Sequence, residues 1–193
     1  MTQDAKWFEA LYCDATDPWS YRTSRYEAQK YADTLALLPR ARYKRALEIG
    51  CSIGEMSKLI AQRSERLLAL DFAPSAISDA RELKIPNADF IIATVPRDWP
   101  RGPWDLIVMS EILYYLDSRC IDELAECIAR DLSPDGQCLL VNYAGETQTA
   151  LSGIEAESCL LHSLSNRRAV QMGGQIDDLG RGYRAMVLSL NSL

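Results

Sequence analysis

The chain has 193 residues, 48% of them hydrophobic and 25% charged, with a formal net charge of −6. That length suits one domain, which can bury about 68–75% of its unfolded surface. The acidic balance excludes a basic footprint for nucleic acid, and the absence of any apolar run of roughly 18 residues excludes a helical membrane span.

The opening residues, Met1-Thr2-Gln3-Asp4-Ala5-Lys6, lack the charged-then-apolar pattern of an export signal. Six cysteines are scattered without a Cys-x-x-Cys pair, so free thiols in a reducing cytoplasm are expected. The single histidine, His162, lies in an amphipathic stretch and reads as an ordinary half-buried side chain. No metal site is expected.

Residues 1–40 read as N-terminal helices preceding a core over 41–193. Asp17-Pro18-Trp19 is a turn signal, and Tyr26 to Leu38 carries helical spacing ended by Pro39. The segment is rich in aromatics (Trp7, Phe8, Tyr12, Trp19, Tyr21, Tyr26, Tyr31) and adds Arg22, Arg25 and Lys30. Packing of a helix across a sheet edge accounts for some of these rings.

Residues 44–54 are the stretch around which the rest of the chain is organised. Lys44 to Ile49 form a short buried strand containing an acid, Glu48. It runs into the turn Gly50-Cys51-Ser52-Ile53-Gly54 and then a helix from Glu55. A strand, a glycine-punctuated turn and a helix N-terminus make the nucleotide-cradling unit of α/β folds, although an ordinary β-turn-α corner has the same outline. The Gly-Lys-Ser/Thr ending of a P-loop is absent, and so is Gly-x-Gly-x-x-Gly. Glu48 would repel a pyrophosphate but suits a sulfonium or ammonium.

A second apolar strand, 66–71, also ends in an acid, Asp71. Phe72 follows, and Ser75 to Lys84 should be helical, with Ile77 on its inner side. Asp71 could serve as a helix cap or as an acceptor for a sugar diol. Residues 88–95 read as strand three, bringing Thr94 and Val95 to its end. Residues 104–116 hold a strand buried on both faces that stops at Ser110-Glu111 and passes into Tyr114-Tyr115. The tyrosines could be core packing, and Glu111 a carboxylate at a helix start. Then come a helix over 118–132 and a tight turn Ser133-Pro134-Asp135-Gly136. Strand five spans 137–143, one further helix lies within 145–164, and two last strands cover 167–172 and 183–190. Gly173 to Gly182 reads as their polar hairpin loop.

The 48–54 turn resembles motif I of the class I S-adenosylmethionine (SAM)-dependent methyltransferases, Glu/Asp-x-Gly-x-Gly-x-Gly, with Ser52 in place of the middle glycine. The 104–116 stretch resembles motif IV of that superfamily. More narrowly, Asp17-Pro18-Trp19 with Tyr26-Glu27 and Lys30-Tyr31, Leu47 to Cys51, and Ser110 to Leu116 are similar to the nodulation protein S family over about residues 8–143. The resemblance implies an α/β, Rossmann-like doubly wound sheet of seven strands, mostly parallel with an antiparallel last strand. It also implies SAM as cofactor and S-adenosylhomocysteine as product.

By that resemblance Tyr21, Arg25, Glu48, Gly50, Cys51, Ser52, Gly54, Asp71, Phe72, Ile77, Thr94, Val95 and Ser110 hold the cofactor. Asp71 takes the ribose, Phe72 and Ile77 flank the adenine, Thr94 stands where an adenine-binding Asp is usual, and Tyr21 or Arg25 reaches the methionine carboxylate. Trp19 and Tyr26 bind the acceptor, while Glu111, Tyr114 and Tyr115 act at the transfer step under an N-terminal lid. The implied reaction is N-methylation of a small-molecule amine, an amino sugar above all, by a cytoplasmic monomer or homodimer without nucleic-acid or membrane partners. The alternatives are a small-molecule O-methyltransferase, a non-catalytic SAM-binding protein and, from another class, a nicotinamide oxidoreductase. The missing glycine pattern and Glu48 disfavour the last.

Overall fold

The structure, a computed structural model, describes residues 5–15, 17–178 and 180–191. Two helices, α1 (Ala5–Asp14) and α2 (Arg25–Ala36), precede β1 (Tyr43–Ile49). There follow α3 (Glu55–Gln62), β2 (Ser64–Asp71), α4 (Pro74–Glu82), β3 (Ala88–Ile92) and β4 (Trp104–Ser110). A 3₁₀ turn (Leu113–Tyr115) leads to α5 (Ser118–Asp131), β5 (Leu132–Tyr143), α6 (Gly153–Ser165), β6 (Ala169–Asp178) and β7 (Tyr183–Asn191).

The strands form a single seven-stranded sheet in the order β3-β2-β1-β4-β5-β7-β6. Neighbours from β3 through β5 pair in parallel, and β7 enters antiparallel between β5 and β6. This is the expected doubly wound sheet with its antiparallel last strand. Strand periodicity sends alternate side chains to opposite faces. Ile107 and Met109 of β4 join a core with Ile121, Leu124 and Ile128 of α5 and Leu160 and Leu164 of α6. Leu106 and Val108 join the opposite core with Tyr31 and Leu35 of α2, Met56 and Ile60 of α3, and Ile77 of α4. Helix starts are capped as their sequences dictate: Ser24 accepts from the Glu27 amide, Asp117 from Cys120, and Ser152 with Glu155 forms a capping box.

Three boundaries differ from the sequence reading. Strand three ends at Ile92, because the Thr94 amide donates to Asp98 (3.0 Å) instead of a ladder partner, so Thr94 and Val95 sit in the following loop. Ser133 to Gly136 is no separate turn. It bulges within β5, whose pairing with β4 jumps from Trp104–Leu132 to Leu106–Gln137. The supposed hairpin loop from Gly173 is mostly strand, since Gly173 and Gly174 form a bulge between the Met172 and Gln175 pairs and β6 runs on to Asp178. All six cysteines are free thiols.

Candidate active site

The parallel strands point their carboxyl ends to one edge of the sheet, where ligands of such folds gather beside the reversal of strand order. β1 delivers Glu48 and the 50–54 turn there, β2 delivers Asp71, and β4 delivers Ser110 and Glu111. The turn is built from left-handed residues: Gly50 at φ 75°, Ser52 at φ 49° and Gly54 at φ 83°. The Gly50 and Cys51 amides both donate to the Leu70 carbonyl, at 2.8 and 3.0 Å, pinning the turn against the end of β2. A side chain at Gly50 would run into Ile112. Gly54 is needed for packing, because a Cβ there would come 2.8 Å from Leu83 and 3.2 Å from Ala80.

Asp71 ties the two strand ends together. Its Oδ2 accepts from the Ser52 amide and its Oδ1 from the Ala73 amide, each at 3.0 Å. Burial raises the Asp71 carboxyl above the ordinary range, opposed by the amide bonds it accepts. The Phe72 amide also bears on the carboxylate, which keeps lone-pair capacity for a hydroxyl donor. Glu48, 3% exposed, accepts from the Ser57 hydroxyl of α3. Burial pushes it up to about 8, with Ser57 pulling the other way and Asp71 adding a smaller upward push. The Cys51 thiol, fully enclosed and near both acids, is raised well above its usual value and is no nucleophile.

Gly50, Ser52 and Asp71 border a cavity of about 430 Å³, within the range of small-ligand sites. Of the residues expected at a cofactor, Tyr21, Gly50, Ser52, Asp71, Phe72, Thr94, Val95 and Ser110 line it. A narrow recess of about 30 Å³ adjoins it and is where Glu48 and Cys51 are reached. Helix α1 roofs the cavity. Phe8 meets Phe72 (5.3 Å between ring centres) and Tyr115 (5.0 Å) edge-on, and the Tyr12 hydroxyl lies 2.5 Å from Ser52 Oγ. Trp19 stacks on Tyr21 at 5.6 Å, and both rings face the same space.

At the opposite end Glu111, held at φ 60°, is the centre of a polar knot. Its Oε1 accepts from Lys30 Nζ at 3.1 Å. Its Oε2 accepts from the Tyr114 hydroxyl at 2.9 Å and from the Tyr143 amide at 2.8 Å. Lys30 also pairs with Glu27 at 3.0 Å. Burial holds the Tyr114 phenol far above its ordinary value, and the Glu111 charge adds to this, so Tyr114 donates. Tyr115, raised by burial, packs against Tyr114 at 4.6 Å. Tyr26 and Tyr143, each 39% exposed, stand at the mouth with Arg181, which pairs with Asp33.

Two expected cofactor residues lie elsewhere. Arg25 points to solvent, and Ile77 is fully buried in the core under the sheet without reaching the cavity. Gly54 shapes the turn without lining the space. The sequence reading missed Lys30, Glu27, Phe8, Tyr12, Tyr143 and Arg181 as site members. A signal existed for three of them: Lys30 shares the buried stripe of α2 with Tyr31 and Thr34, and Phe8 and Tyr12 are four residues apart on one helix face.

The arrangement of β-turn-α cradle, strand-end acids and roofed cavity is that of the class I methyltransferase fold. The sequence model of the nodulation protein S (NodS) family matches residues 7–164. Nodulation protein S of Bradyrhizobium diazoefficiens is 36% identical over 103 residues, covering 52% of this chain and 49% of that protein. The crystal structure of N-methyltransferase NodS from Bradyrhizobium japonicum with S-adenosylhomocysteine superposes with a TM-score of 0.78 at 19% identity, covering 97% of this chain and 99% of that one. A Pseudomonas syringae structure described as a candidate methyltransferase gives 0.70 at 32% identity, covering 86% and 99%. The chain belongs to the nodulation protein S family. It spans about half the length of the curated relatives it matches.

Proposed function

We propose that this chain transfers a methyl group from SAM to the amine of a small molecule, amino sugars being the first class to try. Membership of the nodulation protein S family carries the reading, together with an N-methyltransferase relative of the same fold that binds S-adenosylhomocysteine. Asp71 would take the ribose diol, Phe72 the adenine face, the Thr94–Val95 backbone the adenine edge, and the Gly50–Ser52 turn with Ser110 the thioether region. Glu48, reached through the recess, would meet the methionine ammonium, and Tyr21 its carboxylate. Bound SAM supplies the electrophilic methyl.

The protein's part is alignment. Trp19, Tyr26, Tyr114 and Tyr115 would wall the acceptor so that its nitrogen lone pair meets the methyl carbon opposite the departing sulfur. Orientation of this kind can lower a barrier by about 7–11 kcal/mol. With three donors already on its carboxylate, Glu111 suits orienting the acceptor better than abstracting a proton from it. The described residues up to 40 would act as a lid over the core that begins at residue 41, excluding water from the transfer. The six free thiols fit a cytoplasmic enzyme.

The test is incubation of the purified chain with SAM and a panel of amines and matched alcohols, read by S-adenosylhomocysteine release and product mass. A one-methylene mass gain on amines supports the reading. Gain on alcohols alone would make it an O-methyltransferase, and cofactor binding without turnover on any acceptor would make it a binding protein.

A further inference from the structure

Among the described residues Lys30 is a buried cation at the cavity, 4% exposed, and the proposed reaction assigns it no part. Its ammonium lies between two carboxylates, 3.0 Å from Glu27 and 3.1 Å from Glu111, and 5.3 Å from the centre of the Tyr26 ring. Two acids and an aromatic face are the surroundings that bind an ammonium group best. They are the wrong surroundings for a methyl acceptor. An amine clasped by two carboxylates is held in its protonated form, which has no lone pair with which to attack.

We infer that Lys30 is a positioning residue that fills the ammonium site between Glu27 and Glu111, so that the acceptor amine binds beside it in neutral form. The inference rests on the amine-methylation reading above. The surrounding groups agree with it. Glu111 is fixed from three elements at once, by Lys30 of α2, Tyr114 of the 3₁₀ turn and the Tyr143 amide of β5. Tyr21, Tyr26, Tyr31 and Tyr115 stand near the two acids, and burial keeps their phenols protonated, so they add no charge. The cluster therefore carries two negative charges and one positive. Arg181 at the mouth is paired with Asp33, and the site that would trap a cationic acceptor is taken by the protein's own ammonium, whose like charge opposes protonation of an amine bound alongside.

The experiment compares the parent with Lys30→Arg, Lys30→Met and the double variant Lys30→Met/Glu27→Gln, using glucosamine or the first panel amine that the parent methylates. Lys30→Met opens the ammonium site with both carboxylates in place, and the double variant opens it with Glu111 as its one carboxylate. The double variant has the same net charge in the cluster as the parent, which guards the fold and separates site occupancy from total charge. In Lys30→Met the KM for the acceptor should fall while kcat falls about tenfold near neutral pH and its acid limb moves up by about one pH unit, and the double variant should shift the same way by less. Lys30→Arg should keep the parental limb, and calorimetric affinity for S-adenosylhomocysteine should be unchanged in all three.

An unmoved acid limb in the double variant overturns the inference. So does loss of S-adenosylhomocysteine affinity in Lys30→Met, which would assign Lys30 to the cofactor. If the parent methylates no amine, the functional reading itself has failed, an outcome distinct from an active parent with indifferent Lys30 variants.

Discussion

The Ser57 hydroxyl donates to the Glu48 carboxyl group at 2.5 Å, where neither side chain reaches bulk solvent. Burial lifts Glu48 to about 8, so in the free protein it is largely neutral at physiological pH. A carboxyl raised above its unfolded value stabilises the fold fully below that unfolded value, and the contribution is lost as pH rises through about 8. An arriving ammonium reverses the preference and favours the carboxylate. Binding of S-adenosylhomocysteine below about pH 8 should therefore release a proton, with affinity climbing up to that pH and levelling beyond it. Calorimetry in buffers of different ionisation enthalpy reads the release directly. Glu48→Gln should release none, bind more weakly, and melt higher than the parent above about pH 8.

Asp71 is the second test of the cofactor end. Its removal in Asp71→Ala orphans the Ser52 and Ala73 amides, each costing about 1–3 kcal/mol where buried. Urea unfolding should show a loss of about 2–4 kcal/mol, and S-adenosylhomocysteine affinity should fall more than tenfold. Asp71→Asn keeps one acceptor oxygen and should recover part of both. A mutant that folds and binds as tightly as the parent would refute the ribose role.

The side of the cavity bordered by the ends of β1 and β2 is legible in the sequence because its chemistry is local. An apolar run ending in an acid, followed by glycines, dictates strand and turn within a dozen residues, and Gly50, Ser52, Asp71 and Phe72 all border the space. The side around Glu111 depends on contacts across the fold, such as Lys30 with Glu111, 81 residues apart. Helix phase would have corrected one choice. Arg25 and Lys30 are five residues apart on α2, which turns Arg25 to solvent while Lys30 joins the buried stripe. Thr94 was placed in a strand because apolar character continues past Ile92, whereas the Asp98 side chain captures its amide. Gly173-Gly174 looked like a loop, and only pairing partners on β7 distinguish a bulge from a turn.

Gly50 offers a backbone test. At φ 75° an L-residue costs about 1–2 kcal/mol, and the new methyl would also collide with Ile112. Gly50→Ala should lose about 2–3 kcal/mol in chemical denaturation and bind S-adenosylhomocysteine poorly, because the turn or the Ile112 side chain beside it must shift to relieve the clash. Retention of parental affinity would mean that the 50–54 turn does not approach the cofactor.

Ser52 holds the turn and the lid together. It occupies φ 49° without being glycine, and its hydroxyl meets Tyr12 of α1 at 2.5 Å. Strain at one end and a hydrogen bond at the other oppose each other, so Ser52→Gly should shift global stability by less than about 1 kcal/mol. The lid should respond more strongly. α1 would keep its ring contacts, Phe8 with Phe72 and Tyr115 and Tyr12 with Trp19, and the hydrogen bond from Ser75 to Glu9. Its amides should then exchange with deuterium roughly fivefold faster, corresponding to about 1 kcal/mol of lost local protection. Tyr12→Phe removes the same bond and leaves the turn untouched. Equal acceleration in both variants would tie lid closure to the Tyr12–Ser52 hydroxyl pair, whereas faster exchange in Ser52→Gly alone would assign it to the turn backbone.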